Sequence, residues 1–222
     1  MTAVYYAKVF PLLEEDTFLQ YLEKVEKRRR EKLLHMKDQG SISYTLTAGC
    51  LLHKVLCKWT ETDPECSIPF EIGYEKEGKP YLLKKPEIHF NLSHSGGYVC
   101  CAIADIPVGV DIQKKTVVKS GIAGRFFTDA DNQKLSECGE KEKTDLFFRM
   151  WSIKESFVKL TGKGLKQGMD SFEINWQKGI ILEEDKNEPS AYFMECADMP
   201  AYSFCVCTKE PQKDAVWEEI LL

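Results

Sequence analysis

Val108-Gly109-Val110-Asp111-Ile112-Gln113, directly after Pro107, decides the architecture, because the chain begins its pattern again there. Period-2 alternation sets Val108, Val110 and Ile112 on one face of a strand and Gly109, Asp111 and Gln113 on the other. One face is core and the other polar. A glycine beside an acid leaves room for a ligand, although an aspartate ending a strand also serves as a turn or cap residue. Downstream, helices are expected around Gly121 to Phe127, Asp129 to Cys138 and, most strongly, Lys143 to Leu160. Strands follow at Phe172–Trp176, Gly179–Leu182, Ala191–Glu195 and Ala201–Thr208. Upstream, a strand at 3–10 precedes a helix from Asp16 to Leu34 with Phe18, Leu22 and Val25 inward, and a second helix from about Ser43 to Trp59. Extended segments follow at Ile68–Tyr74, Ile88–Leu92 and Tyr98–Ala104, with a turn at Glu77-Gly78-Lys79-Pro80. Each half runs from helix to antiparallel strands, so the expectation is an α+β fold of two similar lobes, residues 1–106 and 107–222.

A chain of 222 residues with 43% hydrophobic content buries a real core. Thirty basic against thirty-five acidic residues give a net charge of -5, which excludes bulk neutralisation of nucleic-acid phosphates and makes any anion site local. Nine cysteines without a C-x-x-C pair suggest neither a zinc ribbon nor a disulfide framework, and are expected as buried thiols in a reducing cytosol. No apolar run is longer than a strand, so a cytoplasmic protein that does not span a membrane is expected.

Three further segments carry candidate chemistry. In Met150 to Leu160, Met150, Ile153, Phe157 and Leu160 form an apolar helical stripe, with Ser152, Glu155 and Lys159 opposite. Glu155 and Lys159 are also spaced as an ordinary i, i+4 surface pair. Phe90-Asn91-Leu92-Ser93-His94-Ser95-Gly96-Gly97 reads as a connecting loop rich in hydroxyls and amides, suited to an anion. Ser93-His94 does not imply a hydrolase, because no Gly-x-Ser-x-Gly elbow precedes it. The basic stretch Lys27-Arg28-Arg29-Arg30 fits a solvated helix face or a local anion site.

Taken in order, these segments resemble the 4'-phosphopantetheinyl transferases of the large, two-lobed type that activates surfactin synthetase and other peptide synthetases. Tyr44-Thr45-Leu46-Thr47-Ala48-Gly49, Gly78-Lys79-Pro80-Tyr81, Gly109-Val110-Asp111, Arg125-Phe126-Phe127 and Trp151-Ser152-x-Lys154-Glu155-Ser156-x-x-Lys159 complete the match, which spans nearly the whole chain. The resemblance implies magnesium-dependent transfer of phosphopantetheine from coenzyme A to a serine of an apo acyl or peptidyl carrier protein in nonribosomal peptide or polyketide synthesis. It implies a monomer without nucleic-acid or membrane partners.

By residue, it implies Asp111 and Glu155 as metal ligands, with Gln113 a third, direct or through water, where relatives often carry glutamate. Glu155, Lys159 and Asp111 are the implied catalytic residues, Glu155 as base and Lys159 stabilising phosphate charge, with Lys154 less certain. Lys27, Arg30, Thr45, Lys79, Ser93, His94 and Lys159 are implied around coenzyme A. Tyr44 departs from the basic residue often found there. Arg125, Phe126, Phe127 and Lys114-Lys115 are candidates for carrier contact, the two phenylalanines equally for core. A coenzyme A-binding protein without turnover, and a metal-dependent hydrolase of coenzyme A, are the competing expectations.

Overall fold

The computed structural model describes residues 1–65, 69–183, 186 and 188–222, the side chains of Lys141 and Leu165 excepted. Ile68, named above, and Cys66, one of the nine cysteines, lie outside the described residues. The elements run β1 (Thr2–Lys8), α1 (Glu15–Glu23), α2 (Lys27–His35), α3 (Gln39–Trp59), β2 (Ile72–Tyr74), β3 (Pro80–Leu82), β4 (His89–Ser95), β5 (Tyr98–Ala104) and β6 (Val108–Lys114). They continue with α4 (Ile122–Phe126), α5 (Asp129–Glu137), α6 (Glu140–Thr161), β7 (Phe172–Asn175), β8 (Ile180–Glu183), β9 (Ala191–Glu195), β10 (Tyr202–Thr208) and β11 (Ala215–Glu219).

Two sheets carry the fold, ordered β11-β1-β5-β4 and β6-β10-β9-β8-β7, and β2 and β3 form a small hairpin. The halves repeat one scheme. In each, the opening strand pairs antiparallel with the half's later long strand, which pairs antiparallel with the strand before it: β1-β5-β4 and β6-β10-β9.

Period-2 alternation sorts the side chains into four layers. Ala3, Tyr5, Ala7, Val99, Cys101 and Ile103 face α3. Their neighbours Val4, Cys100, Ala102 and Ala104 pack instead against Val108, Val110, Ile112, Phe204 and Val206 of the second sheet. On that sheet's far face, Cys205 and Cys207 meet Ile153 and Phe157 of α6. The order is helix, sheet, sheet, helix, and along the second half of α6 even the polar Ser152, Lys154 and Ser156 are fully buried. Ser152 therefore does not share an open face with Glu155; its hydroxyl lies 2.7 Å from that of Ser203 on β10.

Four expectations are corrected. The helix expected over 16–34 is two, α1 and α2. Glu26 leaves helical geometry (ψ 151°) to bring its buried carboxylate to the Tyr74 hydroxyl at 2.9 Å and to Arg29. The Phe90–Gly97 loop is strand β4 as far as Ser95, and only Gly96-Gly97, both at positive φ, make the turn. Thirdly, α3 starts earlier, at Gln39, where Asp38 caps it by accepting from the Ser41 amide at 2.7 Å. Lastly, β11 was not expected; it joins the first sheet, parallel to β1.

Of the eight described cysteines, seven are buried and Cys138 is half-buried. Among the described residues no helix is long and apolar enough to cross a membrane.

Candidate active site

The two sheets abut where edge strand β4 meets edge strand β6, and side chains make the joint. Asn91 Oδ1 accepts from the Val110 amide at 3.0 Å, Ser93 Oγ from Ile112 at 3.4 Å, and Ser95 Oγ from Lys114 at 3.0 Å. Alternate residues of β4 thus satisfy alternate amides of β6, which a bare sheet edge would leave unpaired. The Asn-x-Ser-x-Ser pattern in the sequence is this ladder, a structural role that the loop expectation missed and that its period of two signals.

The ladder seats Asp111. Strand alternation turns it away from the inter-sheet core toward α6, where it is 1% exposed. α6 comes this close because Gly109 has no side chain; a Cβ there would lie 2.1 Å from the Ser156 carbonyl oxygen. Asp111 Oδ1 accepts from Ser93 Oγ at 2.7 Å and from Lys159 Nζ at 2.5 Å, and Oδ2 from Gln113 Nε2 at 2.8 Å. Lys159 also donates to Ser93 at 2.8 Å. The i, i+4 pair of Glu155 and Lys159 does not form; Lys159 turns to Asp111 instead.

Glu155, half-buried, is left without a hydrogen-bond or ion-pair partner among the described residues. Burial raises its pKa above the ordinary carboxylate value, and the nearby Asp111 adds to this, against a smaller opposing effect of Lys159. Asp111 and Glu155 are therefore close enough to repel. Such a pair suits a cation shared with ligand oxygens. Among the described residues no group of three His, Cys, Asp or Glu side chains is placed to hold a metal.

Lys154 behaves otherwise. Fully buried, it ion-pairs with Asp131 at 2.7 Å and donates to the Met169 and Phe172 carbonyls, both at 2.8 Å. Burial lowers its pKa and Asp131 opposes the shift. Its partners make it a structural tie between α5, α6 and β7.

Asp111, Gln113, Glu155, Lys159, Ser93 and His94 line one cavity of about 710 Å³. Leu92, Trp151, Glu155 and Lys159 also line a second, of about 560 Å³, on whose wall Lys79 sits. Glu155 and Lys159 thus stand where two cavities meet. The Lys79 ammonium donates to the Leu160 carbonyl at 2.6 Å at the end of α6, and burial lowers its pKa. His94 lies with its ring 4.9 Å from that of Tyr44; desolvation, then Lys159, lowers its pKa. Tyr44 hydroxyl accepts from the Gly97 amide at 2.8 Å, and Thr45 follows it on α3.

Lys27 and Arg30 are not brought to Asp111. They line a separate groove with Glu26, Phe70 and Leu83, where Arg30 donates to the Glu23 and Val25 carbonyls at 2.8 and 3.2 Å. Among the carrier-contact candidates, Phe127 is core and Phe126 packs on Trp151 at 5.5 Å. Lys115 pairs with Asp145, while Lys114 and Arg125 remain exposed.

Residues 107–211 match the family model described as the 4'-phosphopantetheinyl transferase superfamily, and residues 13–105 match the one described as 4'-phosphopantetheinyl transferase, N-terminal. The chain is 30% identical over 200 residues to 4'-phosphopantetheinyl transferase Sfp of Bacillus subtilis strain 168, covering 89% of this chain and 87% of that one. A second B. subtilis 4'-phosphopantetheinyl transferase is 33% identical at the same coverage. The chain belongs to the 4'-phosphopantetheinyl transferase family. The psf-1 transferase of Bacillus pumilus is 39% identical over 151 residues, 65% of this chain and 64% of that one. As an enzyme of this family, the transferase moves a group whose own phosphate must be neutralised during transfer. The cavity at Asp111, Glu155 and Lys159 combines two carboxylates with one ammonium in a desolvated setting.

Proposed function

We propose that the transferase takes 4'-phosphopantetheine from coenzyme A and places it on the serine hydroxyl of an apo acyl or peptidyl carrier protein, with magnesium held between Asp111 and Glu155. The carrying observation is that the partnerless Glu155 carboxylate lines the same cavity as buried Asp111, together with Lys159, Ser93 and His94. Two carboxylates with phosphate oxygens and water match what magnesium prefers. When bound, the ion would neutralise charge on the pyrophosphate.

The chain's own residues divide the remaining work. Glu155 accepts the proton of the incoming serine, directly or through water. Lys159 stabilises charge on the transferring or departing phosphate. Ser93 and His94 line the pyrophosphate side, Lys27 and Thr45 lie toward the 3'-phosphate, and Lys79 and Arg30 complete the contacts to the coenzyme A phosphates. Because two cavities share Glu155 and Lys159, donor and carrier have room to meet at these two side chains. In this reading residues 1–106 supply the coenzyme A contacts and residues 107–222 the metal ligands and catalytic helix. Gln113 reaches the metal through Asp111 or a water, since its amide nitrogen faces the carboxylate. Exposed Lys114 and Arg125 suit a carrier acidic around its serine.

The test is incubation of the protein with an apo-carrier, coenzyme A and magnesium, read by intact mass. A gain of one phosphopantetheine per carrier is expected, and Glu155→Gln is expected to lower the rate by at least about 100-fold while coenzyme A still binds. Unmodified carriers from several families would overturn transfer in favour of a coenzyme A-binding protein.

A further inference from the structure

Two lysines of α6 differ in freedom. Lys154 has three oxygen partners and no exposure, so it is locked. The Lys159 side chain is 26% exposed on a flexible four-carbon stem, and its two partners, Ser93 Oγ and Asp111 Oδ1, both belong to the cavity. Glu155, one helical turn away, is passed over. One ammonium thus serves one of two neighbouring carboxylates, the more deeply buried one.

We propose that Lys159 is a positioning residue for the metal: it holds the cation place beside Asp111 until the donor's pyrophosphate draws it off, so metal and donor bind as a linked pair. This rests on the magnesium reading above. A divalent ion at Asp111 and an ammonium 2.5 Å from its Oδ1 repel strongly at such range in a desolvated cavity. The ammonium must move for the ion to settle, and rotation about the stem suffices. A pyrophosphate in the cavity offers it a new anionic partner. Whatever moves Lys159 then favours the metal, and by linkage the metal favours the donor to the same degree. Metal affinity in the free protein is accordingly limited by Lys159, in addition to any effect of Gln113.

The experiment is titration of the full-length protein with Mn²⁺ alone, following the free ion by electron paramagnetic resonance, for the unsubstituted protein, Lys159→Met and Lys159→Gln. Asp111→Asn in each background identifies binding at this site. Removing the ammonium is expected to tighten Asp111-dependent Mn²⁺ binding by about tenfold or more, equivalent to about 1.4 kcal/mol. Coenzyme A is expected to tighten Mn²⁺ binding to the unsubstituted protein and to do so several-fold less in the two variants. Thermal melts show which variant is folded, and the two differ in polarity so that one serves if the other is lost. Asp111-dependent binding of equal affinity in all forms overturns the competition and leaves the metal site standing. Absence of Asp111-dependent binding in every form overturns the metal site and this inference with it.

Discussion

Gly109 decides how near α6 can come to β6. A Cβ would meet the Ser156 carbonyl oxygen at 2.1 Å and the Leu160 amide nitrogen at 2.4 Å, both backbone atoms that cannot turn aside. Gly109→Ala is expected to cost about 1–3 kcal/mol in chemical denaturation. It should also slow transfer, because Asp111 sits two residues further along the same strand. His53 is a second residue with a measurable signature. It is 5% exposed on α3, its Nε2 3.3 Å from the Pro64 carbonyl, and its Nδ1 has no partner among the described residues. Burial lowers its pKa, with the Pro64 carbonyl opposing and Lys24 assisting. The folded protein then binds fewer protons than the unfolded chain just below the unfolded value of about 6.5. Stability is full above that pH and falls as pH drops through it. His89 and His94 carry the same sign. The loss of urea midpoint between pH 7 and pH 5.5 should therefore be smaller, though not absent, in His53→Gln.

At the scale of elements, α6 is the piece on which both stability and chemistry hang. Asp131, on α5, is 5% exposed and also accepts from the Thr128 amide in a capping box. Lys154→Met leaves this carboxylate buried without its cation and is expected to cost about 3–5 kcal/mol in denaturation. Adding Asp131→Asn should recover much of that loss. Much of this was legible in the sequence. The apolar stripe of α6 and the alternation of β6 fixed both elements, and they made Asp111 and Glu155 polar-facing candidates that the family motifs then joined. The partners of Lys154 lie in α5, just before β7 and at its first residue, and no local pattern announces them. The break between α1 and α2 likewise has no proline or glycine signal, because the contact made there by Glu26 is the distant Tyr74 hydroxyl, with Arg29 pairing locally. Strand β11 was missed because Ala215-Val216-Trp217-Glu218-Glu219 carries little alternation, and its place is set by Trp217 packing on Phe204 at 4.8 Å.

At the scale of the whole molecule, the repeat of helix and antiparallel strands was visible in the order of segments, but the stacking of two sheets between two long helices was not. The pairing of β1 with β11 joins residues from opposite ends of the sequence, a contact whose loop-closure cost slows folding. The seam between the sheets has a different consequence. Backbone amides in the middle of β5 are held by neighbouring strands, whereas those of Val110, Ile112 and Lys114 are held by rotatable Asn91, Ser93 and Ser95 side chains. In hydrogen–deuterium exchange these three amides should open at lower free energy than those of Val99 to Ile103, and Asn91→Ala should speed exchange at Val110 first. Equal protection along β5 and β6 would show the two sheets opening as one. The expected order means that the strand carrying Asp111 breathes ahead of the core behind it, so the cavity wall can loosen while the folded layers stay closed.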